Sequence, residues 1–136
     1  MPPKLKVVFD TNIYISAIIF SGPPEICLEA AQAGEIELYT SKTILLELAN
    51  KLRSKFGYPE EDIEEILVGL VRFVKVVNPK VKINKIKEDP SDNMVLEAAV
   101  EAKGDLIVSG DKKHILPLKE FGGIKIISAA IFLKQL

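Results

Sequence analysis

Short apolar runs alternate along this chain with longer stretches in which apolar residues recur every three or four positions. The runs lie at Lys6–Phe9, Ile36–Tyr39, Asp105–Ser109 and Ile124–Ile127, with a weaker candidate at Phe73–Val77. The first, containing VVF, is β-branched and aromatic, as expected of a strand buried in a sheet. Between the runs, Asn12–Phe20 reads as a buried helix, and Pro24–Ala33 as a second one opened by proline and closed by Gly34. In Ser41–Lys55 the residues Ile44, Leu45, Leu48, Ala49 and Leu52 fall at helical spacing. Pro59–Val71 places Glu60, Glu61 and Asp62 in its first turn, where they complement the helix dipole. A further helix is predicted over Pro90–Lys103, with Gly104 as the cap beyond its end, and a last one over about Ala129–Leu136. Strands separated by helices predict an α/β fold with a mainly parallel sheet, in one domain spanning residues 1–136.

Composition narrows the setting. At 136 residues and 48% hydrophobic content, the chain can bury a core without disulfides or a structural metal. Its apolar stretches fall far short of the roughly 18–20 residues needed to span a bilayer. The opening MPPKLK lacks the apolar region of a secretory signal. The expectation is a soluble, cytoplasmic protein with no membrane partner. Cys27, the single cysteine, lies in the helical pattern EICLEAA and reads as a buried thiol. A net charge of −1 gives no overall attraction to nucleic acid, so any such contact needs a local basic surface or a bound cation. The segment Asn78–Glu88 interleaves Lys80, Lys82, Lys85 and Lys87 with Val81, Ile83 and Ile86. It reads as a solvated edge strand or connecting loop, or as a basic rim for a phosphate backbone or an acidic protein segment.

The acids carry the chemistry. Of six aspartates, Asp62 fits a helix start and Asp105 leads into a strand. Asp10 ends the first run, Asp111 follows LIVSG, and Asp89 and Asp92 open the helix after the lysine-rich segment. All strands of a parallel sheet point the same way, so residues just past their carboxyl ends share one edge with the first turns of the following helices. That edge would gather Asp10, Asp92 and Asp111. Each has a simpler reading beside it: Asp89 as N-cap, Asp92 as an acid reaching back toward that cap, Asp111 as a turn residue. Capping contributes about 1 kcal/mol, whereas two carboxylates about 5 Å apart repel by on the order of 3 kcal/mol at an effective dielectric of 20. A cluster of such acids therefore needs a cation or shared protons. An oxygen-only set with no nearby His or Cys suits Mg²⁺ or Mn²⁺ rather than zinc, and such an ion beside a phosphodiester supports hydrolysis.

Taken together, FDTNIYIS, an acidic residue within TILLELANKL, the segment EDPSDNMVLEAAVEAKGDLIVSGDKK and the final IKIIS resemble the PIN-domain family of metal-dependent ribonucleases. The likeness spans nearly the whole chain and is strongest to the small prokaryotic members that act as toxins in toxin–antitoxin pairs. It implies a three-layer α/β/α sandwich, an acidic pocket holding Mg²⁺ or Mn²⁺, and endonucleolytic cleavage of RNA that leaves a 5′-phosphate and a 3′-hydroxyl. By that resemblance Asp10, Glu47, Asp92 and Asp111 are the metal-binding and catalytic acids. Asn12 orients the first acid or a water, and Ser109 is the small hydroxyl residue beside the last; Asn93, next to the third, reads either as a donor behind it or as an exposed helix residue. Helical spacing alone puts Glu47 opposite the Leu45, Leu48 and Leu52 face and would make it a solvated glutamate; the resemblance is what raises it above that. Lys112 and Lys113, next to Asp111, are candidates for substrate phosphate. His114, the single histidine, has no partner in the sequence, and Thr11 reads as a helix-start residue. The resemblance also implies a homodimer and a small antitoxin that blocks the pocket.

Other chemistries fit less well. Phosphatases that form an aspartyl-phosphate use a second aspartate two residues after the first, and that place holds Asn12. A receiver domain would want an acidic pair at the end of the first strand, and no glycine-rich turn follows any strand to bind a dinucleotide. The remaining rival is a PIN-like module that binds RNA or a protein partner without cutting.

Overall fold

Strand β1 (Lys6–Phe9) forms at the first apolar run. Val7, Val8 and Phe9 are all fully buried. Successive strand residues point to opposite faces, so the sheet is covered on both sides there. The computed structural model describes residues 3–136. After β1 come helices α1 (Thr11–Ile19) and α2 (Pro23–Gln32), β2 (Glu37–Ser41), α3 (Lys42–Ser54), α4 (Glu60–Val71) and β3 (Val74–Val77). The second half holds α5 (Asn93–Ala102), β4 (Leu106–Val108), β5 (Glu120–Phe121), β6 (Ile124–Ile127) and α6 (Ala129–Leu133). The six strands form one sheet in the order β3-β2-β1-β4-β6-β5, parallel throughout except for β5 against β6. This is the expected α/β/α sandwich with a mainly parallel sheet.

Strand order explains where a site can lie. From β1 the chain builds outward through β2 to β3, then returns to place β4 on the other side of β1, with Phe9 in register with Val108. The connections leaving β1 and β4 diverge, which opens a crevice at their carboxyl ends.

Several elements differ in detail from their sequence reading. Ser41 ends β2 and caps α3, its Oγ accepting from Ile44 N at 3.3 Å. The helix expected over Pro90–Lys103 splits into a 3-10 turn at Pro90–Asp92 followed by α5. Its left-handed closing residue is Lys103 (φ 54°) rather than Gly104. Gly104 answers to space instead, because a Cβ there would sit 3.4 Å from the Ala99 carbonyl oxygen. Strand β5 was not anticipated, although the Gly122-Gly123 pair between EF and IKII (φ 57° and 84°) is the composition of a two-residue hairpin turn.

The lysine-rich segment is a connection without a sheet partner. It runs along α5, where Glu101, Glu97 and Asn93 form a row four residues apart. Glu101 Oε1 accepts from Lys80 N (3.1 Å), Glu97 Oε2 from Ile83 N (2.8 Å) and Asn93 Oδ1 from Ile86 N (2.9 Å). Cys27 is buried as expected, and burial pushes its thiol up to about 11. Among the described residues no single helix is long and apolar enough to cross a membrane.

Candidate metal centre

Asp10 stands where β1 ends and α1 begins, and it is 5% exposed. Its Oδ1 accepts from the backbone N–H of Asn12 (2.8 Å) and Ile13 (3.3 Å), so it is the N-cap of α1. Its Oδ2 accepts from the hydroxyl of Ser109, which is fully buried at the end of β4. Burial raises the Asp10 carboxyl above the ordinary range; the Ser109 and backbone hydrogen bonds oppose this, and the nearby Asp111 charge adds to it. Ser109 Oγ also accepts from Asp111 N at 3.0 Å. One hydroxyl thus ties the acid after β1 to the backbone of the acid after β4.

Asp111 Oδ1 accepts from Lys113 N (2.9 Å) and His114 N (3.1 Å), which folds the following turn and directs the imidazole toward Asp92. His114 Nδ1 then lies 3.0 Å from Asp92 Oδ2 and 3.9 Å from Asp111 Oδ2. Asp92 therefore faces His114 and makes no capping bond, contrary to the capping reading. Desolvation raises its carboxyl to about 6; the His114 hydrogen bond opposes the shift, and the charges of Asp89 and Asp111 add to it. Asp89 is the cap of the 3-10 turn, its Oδ1 accepting from Ser91 N at 3.2 Å.

Glu47 reaches the same cleft from α3. It lies on a row with Ile44 and Lys51, and its side chain is 25% exposed. The cleft is lined by Asp10, Thr11, Asn12, Ile44, Glu47, Lys51, Ser91, Asp92, Met94, Val95, Asp111 and Ile115. All four acids named from the sequence thus share one cavity. Adjoining it through Asp92 is a second grouping: Asp89, Asp92 and His114 offer ligand atoms all within 4.8 Å of one another, and of these three Asp92 alone lines the cleft. The donor set is rich in carboxylate oxygen, which fits Mg²⁺ or Mn²⁺. His114 corrects the expectation of a cluster without histidine. Its nitrogen suits Mn²⁺ better than Mg²⁺, and zinc no longer falls for want of an imidazole.

The remaining candidates separate. Asn12 lines the cleft, and its Oδ1 accepts from Lys51 Nζ at 3.2 Å. Asn93 is buried and turned away: its Nδ2 donates to Ile86 O (2.8 Å) and Pro90 O (3.1 Å), so it fastens the chain that carries Asp92 instead of facing the acids. Lys112 and Lys113 are exposed and do not line the cleft. Sequence reasoning missed Lys51 and the His114 pairing. The spacing of Lys51 one turn after Glu47 was the available signal; the His114 contact depends on a turn that only the fold supplies.

These features define an α/β protein with a carboxylate pocket at the switch point of a parallel sheet. The chain belongs to the PIN-domain family, whose model matches residues 6–113. It is 37% identical to an uncharacterized protein of Methanocaldococcus jannaschii, across 82% of this chain and 74% of the relative. It is similar in structure to VapBC2 from Rickettsia felis bound to a DNA fragment from their promoter, with a TM-score of 0.62 and 14% identity over 90% of this chain and 97% of that one. It is equally similar to DNA-bound VapBC from Salmonella typhimurium, with a TM-score of 0.62 and 15% identity over 92% and 98% of the two chains. At these identities the two structural likenesses speak for the fold alone.

Proposed function

We propose that this protein is a Mg²⁺- or Mn²⁺-dependent endoribonuclease acting as one PIN domain, and that it is the toxin of a toxin–antitoxin pair. The observation that carries the reading is the convergence of Asp10, Glu47, Asp92 and Asp111 on a single cleft at the β1–β4 switch point. Burial raises the Asp10 and Asp92 carboxyls, and the charges of neighbouring acids add to the shift, so an ionised set in this cleft is favoured by a cation. A divalent ion held by these acids would lower the pKa of a water and offset the charge of a phosphodiester.

The protein's own contribution is positioning. Ser109 and the α1 backbone fix Asp10, leaving little freedom for its carboxylate. His114 orients Asp92 through Nδ1, and α3 brings Glu47 in from the opposite wall. No side chain serves as a nucleophile, so the reaction is direct displacement by water. Likeness to VapBC assemblies supports a small antitoxin partner, and a homodimer is the expected state. Membership of the PIN family and the acidic cleft support nuclease chemistry over a silent binding module.

The test is cleavage of RNA with Mn²⁺, with EDTA, and with Asp10→Asn and Asp92→Asn variants. Cutting should require the metal and fall at least about a hundredfold in either variant, as expected when a group stabilising the transition state is removed. RNA binding without cutting under every metal would leave the non-catalytic module instead.

A further inference from the structure

Among the described residues that line the acid cleft, one is cationic: Lys51. It rises from α3 one turn after Glu47, with Nζ 3.7 Å from Glu47 Oε1 and 3.2 Å from Asn12 Oδ1. Its side chain is 27% exposed and forms part of the cleft wall. Stability alone accounts poorly for this placement. An i,i+4 pair of this kind contributes about 0.3–0.5 kcal/mol, while fixing a lysine in one rotamer costs up to roughly 2 kcal/mol of entropy. An ammonium has three donors. Asn12 takes one, and the Glu47 oxygen lies beyond hydrogen-bond length, so donor capacity is left for the cleft.

Building on the ribonuclease reading of the pocket, we infer that Lys51 binds a phosphate of single-stranded RNA lying across the acids, its ammonium held in place by Asn12 and Glu47. The chain as a whole, with a net charge of −1, offers no general attraction to a polyanion. Lys112 and Lys113 stand outside the cleft. A compact ammonium is a point-charge partner for phosphate and fits a narrow position beside carboxylates better than a broad guanidinium fork.

The experiment compares wild type, Lys51→Met and Lys51→Arg. Binding of a fluorescein-labelled single-stranded oligoribonucleotide is followed by anisotropy in Ca²⁺ across a salt series, and Mn²⁺ affinity is measured by calorimetry without RNA. Lys51→Met should weaken RNA binding about tenfold, the size of one charge-assisted contact. It should also flatten the slope of log affinity against log salt by about 0.7, the share of one phosphate on a single strand. Lys51→Arg should keep the slope. Mn²⁺ affinity should hold or tighten in Lys51→Met, because a neighbouring positive charge is gone. Unchanged RNA affinity and slope would overturn the assignment. So would weaker Mn²⁺ binding in Lys51→Met, which would make Lys51 a prop for the acids. A wild type that binds RNA through Lys51 but cuts nothing would sink the nuclease reading and leave the phosphate contact standing. A wild type that cuts RNA with no dependence on Lys51 would do the reverse.

Discussion

Ser109 is a fully buried hydroxyl with both of its roles in use: it donates to Asp10 Oδ2 and accepts from Asp111 N. Removing it leaves a buried carboxylate oxygen and a backbone donor short of partners, which costs about 1–3 kcal/mol. Ser109→Ala should therefore lower unfolding free energy by that amount in urea. It should also weaken Mn²⁺ binding, since Asp10 and Asp111 lose the atom that couples them. A variant of unchanged stability and metal affinity would show that the two acids are held by their own caps. At this scale the sequence told much about the acids and little about what orients them. Asp10 and Asp111 were legible because the first ends an apolar run and the second lies just beyond one. His114 was not, because its bond to Asp92 joins residues whose approach depends on the turn folded by Asp111.

Elements were legible wherever their hydrophobic period was strong, and the misreadings fall where backbone detail decides. Strands β1 and β6 and helix α3 follow their apolar patterns closely. The α5 segment shows the limit. Gly104 was expected to close it, yet the left-handed position belongs to Lys103, whose φ is 54°. A side chain with a Cβ pays a steric penalty there that glycine escapes. Lys103→Gly should raise stability by about 0.5–1 kcal/mol, after allowing for the greater freedom of glycine in the unfolded chain. Gly104→Ala should be destabilising, since its Cβ would press on the Ala99 carbonyl. Parallel urea titrations of both variants check the pair, and a stabilising Gly104→Ala would reverse the assignment of the two positions.

At the scale of the molecule, parallelism was legible in the sequence but strand order was not. Convergence of the acids follows from parallelism, whereas the crevice they line depends on β4 returning beside β1. Four acids from separate parts of the chain meet in that crevice, so an ion bound there would link distant segments and stabilise the whole fold. Without an ion, the Asp92 carboxyl titrates near 6 in the folded state against about 3.9 when unfolded. A raised carboxyl favours the folded state most below the unfolded value, and that contribution is lost as pH climbs through the folded value. Asp10 shifts in the same sense. In EDTA, wild type should therefore lose stability relative to Asp92→Asn between about pH 4 and pH 6, with little further change above. Mn²⁺ should reverse the trend. Its ligands must be ionised, so the same concentration should raise the melting temperature more at pH 7.5 than at pH 5. At a hundred times its dissociation constant the gain should be about 2.7 kcal/mol. Calorimetric melts at the two pH values decide the matter. Equal Mn²⁺ shifts at both would mean that Asp92 does not hold the ion, and a wild type that gains on Asp92→Asn as pH rises in EDTA would mean that its carboxyl is not raised by the fold.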